Sequence, residues 1–189
     1  MFFYDLKKLK AHYILLDQKD IQAGFKKKHA DYREAKEVLN IIADHQHSPA
    51  EFKELVEDMV GKAGAPGLWY SNGMFRLKTG LFKQQIGFRK LIETVRSNLD
   101  KSPQYIYQMA KDITKGIKGV GPNFIGEIMM TYAPDKLANI NQNLITVLRK
   151  EGGADIKAYS SSYNGTNYEE YNAIINVISR VVWCFFVKG

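Results

Sequence analysis

Apolar side chains recur at helical spacing through most of this chain. Between Asp20 and Ala43 the residues Ile21, Phe25, Tyr32, Ala35, Leu39 and Ile42 return at intervals of three, four and seven, which places them on one helix face. Lys26, Lys27, Lys28, Arg33, Glu34 and Lys36 take the other face and read as a solvated surface. Phe2–Leu16 also suits a helix, with a weaker pattern. Ser48-Pro49-Ala50-Glu51 is a helix start: serine caps, proline fits the first turn, and Glu51 can return a hydrogen bond to the cap. Phe52, Leu55, Val56, Met59 and Val60 then face inward, and Gly61 is the stop.

The helical rhythm breaks over 62–80, a segment that divides an N-terminal lobe (1–61) from a C-terminal one (81–189). Within it Asn72-Gly73, flanked by Leu68, Trp69, Tyr70, Met74, Phe75 and Leu77, fits a short β-hairpin, and an irregular aromatic loop fits equally well. A helix is expected from Phe82 to Leu99, with Ile86, Phe88, Leu91, Ile92 and Val95 inward. Ser102-Pro103 opens the next, carrying Ile106, Met109 and Ile113 inward and leaving Lys111 and Lys115 outside. Beyond a turn at Pro134-Asp135, Asn141 or Asn143 caps a helix with Leu144, Ile145, Val147 and Leu148 on its apolar side, closed by Gly152-Gly153. Ala158–Asn167 reads as a mobile loop and Tyr168–Val187 as a last helix. The fold class that follows is all-α, several helices with at most one short hairpin.

Charge and composition add a direction. The 189 residues are 45% apolar and 25% charged, as in a globular domain, and 27 Lys and Arg against 20 Asp and Glu give a net charge of +7. Such an excess favours polyanionic partners. Cys184 is the single cysteine, which excludes an internal disulfide and fits a reducing, cytoplasmic setting. The first residues lack the pattern of a signal peptide. The apolar run from Ile174 to Val187 is shorter than the roughly 20 residues of a membrane helix and contains Arg180; no membrane partner is expected.

The segment from Lys115 to Met130 carries the candidate chemistry. A helix ends before it, Gly119-Val120-Gly121 makes a tight turn, and a new helix begins near Pro122. Gly119 and Gly121 permit positive φ and close backbone approach, while Val120 can point inward. A turn of this kind aims backbone N–H groups outward at the positive end of a helix, a phosphate site, with Lys115 and Lys118 beside it.

With Ile117-Lys118-Gly119-Val120-Gly121-Pro122 as its core, this segment resembles the helix-hairpin-helix family of DNA-binding motifs. The resemblance implies contact with the DNA phosphate backbone through the amides near Gly119, Gly121 and Asn123. It extends toward the DNA glycosylases of that family, whose catalytic aspartate follows the hairpin. Here Asn139 or Asn141 falls near that position, and Asn123 near that of the lysine in bifunctional members, so the scaffold stands without its ionisable groups; Glu127 and Asp135 lie elsewhere. The order Gly-Val-Gly-Pro, helix, Pro-Asp, Asn-Ile-Asn, helix is also loosely similar to helical accessory domains of bacterial restriction proteins, which implies further domains or subunits as partners.

Other features are weaker. His45 and His47 lack further ligands for a metal site. Trp69, Tyr70 and Phe75 could stack on a base but more often build a core. Cys184 sits in an apolar run and reads as inert. No nucleotide-binding or hydrolase motif is present, and no cofactor is expected. The expected function is a non-catalytic DNA-binding domain using Lys115, Lys118, Gly119, Val120, Gly121 and Asn123, with Asn139, Asn141 or the Trp69–Phe75 segment supplying any base selectivity. A divergent helix-hairpin-helix glycosylase and a helical protein-interaction domain are the alternatives.

Overall fold

A computed structural model describes residues 18–62, 65–69, 78–150 and 152–187, with backbone alone for 18–26, 28, 78–79 and 180–187. The order is α1 (Gln18–Asp44), α2 (Pro49–Val60), α3 (Lys78–Leu81), α4 (Gln85–Ser97), α5 (Pro103–Thr114), α6 (Pro122–Tyr132), α7 (Gln142–Lys150), a 3₁₀ turn (Ser160–Ser162) and α8 (Gly165–Val187). The described residues hold no strand, only an isolated antiparallel bridge between Lys62 and Ala65. The protein is all-helical over this extent. The expected hairpin around Asn72-Gly73, the stacking candidates Tyr70 and Phe75, and the N-terminal helix at Phe2–Leu16 lie outside the described residues, as does the Cys184 side chain.

Local signals set the helix ends as the sequence suggests. Ser48 and Glu51 form a capping box, in which the Ser48 N–H donates to Glu51 Oε2 at 2.8 Å and the Glu51 N–H to Ser48 Oγ at 3.3 Å. Gly61 ends α2 at φ 81°, and Ser102 caps α5 through the Tyr105 N–H.

One apolar cluster joins α1 and α2 to α4 through α8. Its centre is a chain of edge-to-face aromatic contacts: Phe52 to Phe88 at 6.1 Å, Phe88 to Phe124 at 5.6 Å, and Phe124 to Trp69 at 5.1 Å. Trp69 is therefore core, and its indole N–H donates to Thr131 Oγ1 at 3.0 Å. On α1, Tyr32, Lys36, Asn40 and Asp44 recur every four residues and form a polar ridge against α6 and α4. Tyr32 meets Glu127, Lys36 lies over the Tyr132 ring, Asn40 accepts from the Tyr132 hydroxyl, and Asp44 pairs with Arg96.

Several expected inward residues face out. Ile86 is 86% exposed. Helix α4 starts only at Gln85, and its buried stripe is Phe88, Leu91, Ile92 and Val95; at about 100° per residue Ile86 falls on the opposite side. Met109, Leu144 and Val147 are likewise exposed, because α5 and α7 each bury a narrower stripe, Ile106, Tyr107 and Ala110 in one and Ile145 and Leu148 in the other. The segment expected as a mobile loop is pinned. Gln142 donates to Ala158 O and accepts from the Ser160 N–H. Tyr163 is fully buried, and Lys111, expected outside, is half-buried and donates to the Tyr163 carbonyl. Asn164 and Asn167 bond each other's backbone N–H, so α8 begins at Gly165, three residues before its expected start.

Candidate nucleic-acid interface at the Gly116–Asn123 turn

Helix α5 ends at Thr114 and tightens into a final turn, with the Gly116 N–H on Ile113 O and the Ile117 N–H on Thr114 O. Ile117 and Val120 point into the core. Gly119 then reverses the chain at φ 91°, and α6 begins at Pro122, whose missing N–H costs nothing at that position. Phe124, two residues on, anchors the new helix in the aromatic chain. The expected helix, glycine turn and helix are all present.

A backbone inventory decides what the turn offers. Gly116, Ile117 and Val120 spend their N–H groups on backbone carbonyls within the turn. The Lys118 N–H donates to Gln84 Oε1 at 3.1 Å. The Gly119 and Gly121 N–H groups bond no described residue. Both residues are half-buried; Gly121 caps the start of α6, where the helix dipole is positive, and Gly119 lies in the turn before it. Gly121 caps α6 without a side-chain bond.

The two glycines differ. Only Gly119 uses the positive φ allowed to both; Gly121 is extended at φ −111° and ψ −172°. A Cβ at Gly121 would meet nothing within 4 Å. Neither backbone conformation nor close packing among the described residues therefore requires glycine at this position. The lysines differ too. Lys115 Nζ pairs with Asp112 Oδ1 at 2.7 Å, and that pairing holds the Asp112 carboxyl below its ordinary range. Lys118 is exposed and forms no ion pair among the described residues. Asn123, half-buried, lies in the first turn of α6. An open groove of about 610 Å³ runs beside the turn between Gln84, Gly87 and Lys90 on one wall and Met109 and Ile113 on the other.

Asn139 and Asn141 are not gathered with the turn's amides but engaged by protein groups. Asn139 Nδ2 donates to Glu127 Oε1 at 2.8 Å, while Tyr32 donates to Glu127 Oε2 at 2.6 Å; Glu127 is fully buried. Asn141 Oδ1 caps α7, accepting from the N–H groups of Asn143 and Leu144. Asp135 is exposed in the turn after α6. His45 and His47 pack edge to face near the end of α1, and no metal-holding group occurs among the described residues. Among those residues, too, no helix is long and apolar enough to cross a membrane.

Sequence reasoning missed Gln84 and the Glu127 clamp. Glu127 sits among apolar residues of α6, an unusual place for a carboxyl, which was the available signal. Nothing local marks Gln84, whose partner lies 34 positions away. Comparison with family models, with curated proteins and with solved structures finds no match to this chain.

Proposed function

We propose that this chain binds the sugar–phosphate backbone of DNA at the Gly116–Asn123 turn, as a non-catalytic helix-hairpin-helix module. One observation carries the reading: two backbone N–H groups, Gly119 and Gly121, have no acceptor among the described residues, in the turn that leads into a well-anchored helix and next to the exposed Lys118. N–H groups at a helix start are satisfied by capping side chains, by water or by a ligand, and a pair without a described protein acceptor is open to an external acceptor with several lone pairs. A phosphate is such an acceptor, and Lys118 adds the charge that favours it. The net charge of +7 supports the same partner at longer range. Backbone contact gives affinity and register without reading sequence, and the engagement of Asn139 and Asn141 by protein groups argues against them as readers of base edges.

The test is fluorescence-anisotropy titration of a labelled duplex at several salt concentrations. Neutralising about two to four phosphates gives a slope of log K against log salt of about −2 to −3.5. No binding at low salt overturns the proposal.

A further inference from the structure

The turn is held in shape from outside itself. Gln84 occupies the corner between α3 and α4, and its amide bridges two backbones: Nε2 donates to Gly80 O at 3.2 Å, and Oε1 accepts from the Lys118 N–H at 3.1 Å. The neighbouring glycines allow this approach. A Cβ on Gly80 would lie 2.8 Å from Lys118 O, and one on Gly87 would lie 3.1 Å from Ile117 Cγ1. Residues 80, 84 and 87 thus form one surface that seats residues 117 and 118, immediately before the pair of open amides.

We infer that Gln84 is the positioning residue of the phosphate-binding turn, so the DNA-binding unit comprises the Gly80–Gly87 corner together with the hairpin. This rests on the function proposed for the turn. The Gln84 bond removes the Lys118 N–H from the outward set and fixes the peptide plane that enters Gly119. The positive φ at Gly119 then carries the chain round with the Gly119 and Gly121 N–H groups still available. Without the bridge the turn samples other peptide orientations, and binding must bear the cost of ordering it. The side chain has to accept at one end and donate at the other. Glutamine does both, leucine does neither, and glutamate does both only while protonated.

The experiment compares the parent, Gln84→Leu, Gln84→Ala and Lys118→Ala by DNA titration in salt, with NMR hydrogen exchange of the Lys118 amide. Gln84→Leu is expected to bind about three- to tenfold more weakly, the worth of one neutral hydrogen bond. Its salt slope stays parental, because no phosphate contact is lost, whereas Lys118→Ala loses about one unit of slope. The Lys118 amide exchanges faster in Gln84→Leu. Gln84→Ala, which can neither accept from the Lys118 N–H nor donate to Gly80 O, is expected to show the same two changes. A faster Lys118 amide together with lost affinity at an unchanged salt slope is a readout that a merely structural role would not produce, and Gln84→Ala carries the test if Gln84→Leu does not fold. Parental affinity or parental Lys118 exchange in the folded variants overturns the inference. If the parent binds no DNA, the functional proposal fails, and Lys118 exchange still reports whether Gln84 holds the turn.

Discussion

Helix α6 treats polar groups in opposite ways along its length. In the turn that leads into it, the Gly119 and Gly121 N–H groups have no described partner, and the space a side chain would take at Gly121 is open. Further along the helix, Glu127 is wholly buried, and both carboxyl oxygens accept protein hydrogen bonds, from Tyr32 and from Asn139. Gly126 beside it lets the 139–140 backbone lie directly on the helix: a Cβ there would come within 2.6 Å of the Ile140 nitrogen. Both regions draw attention in the sequence as places for DNA chemistry, the first through its glycines and the second through Asn139. The structure separates them by where the hydrogen-bond partners come from. A buried carboxylate bonded on both oxygens ties α1 and the 138–140 segment to α6; amides with no described acceptor are what a ligand can complete.

Changes in the buried region should act on stability. Gly126→Val drives a branched side chain into backbone that cannot move aside, and is expected to cost about 3 kcal/mol or more. Glu127→Leu strands the Tyr32 and Asn139 donors, at about 2 to 4 kcal/mol, and Glu127→Gln should cost less because one acceptor remains. Urea denaturation measures both. The contrast breaks if Glu127→Leu folds with parental stability, or if the folded Gln variant loses DNA binding.

Changes at the turn should act on binding, and the two glycines separate conformation from access. Gly119→Val is expected to cost about 1 to 2 kcal/mol of stability, since its φ of 91° suits no branched residue. Gly121→Ala should fold with parental stability, since its backbone is extended and the space beside it is open. Its methyl group nevertheless stands where a phosphate must approach, so DNA binding falls. A Gly121→Ala variant with unchanged affinity would move the contact elsewhere in the turn.

Lys118→Ala and Lys115→Ala sharpen the comparison further. Removing Lys118 takes about one unit from the salt slope. Removing Lys115 has the smaller effect, because its ammonium already faces Asp112. Equal losses in salt titrations of the two variants would show that the Asp112 pair opens on binding.

The smallest effect concerns the polar ridge on α1. Arg96 donates to both oxygens of Asp44 and holds its carboxyl below the ordinary value of 3.8. A group with a lowered folded-state pKa contributes stability above its unfolded value, and that contribution is lost as pH falls through the lower folded value. Urea midpoints measured from about pH 6 to about pH 3 should therefore decline slightly more for the parent than for Arg96→Met. Solvent exposure of the pair keeps the difference small.

Much of this fold is legible because its signals are local. The capping box at Ser48–Glu51, the Ser102 cap, the stop at Gly61 and the start at Pro122 each depend on residues within about four positions, and the chain alone determines them. Helical periodicity likewise makes the all-helical class readable. It does not decide how wide a buried stripe is, which is why Ile86, Met109, Leu144 and Val147 face outward against expectation. Only the tertiary structure decided how the polar groups are used. Tyr32 reaches Glu127 across 95 positions, Gln84 reaches Lys118 across 34, and Asn139 reaches back 12. A hydrogen bond forms wherever packing brings donor and acceptor together, and that packing is set by the apolar core, so an asparagine or a glutamine in the sequence does not reveal whether it serves a ligand or the protein itself.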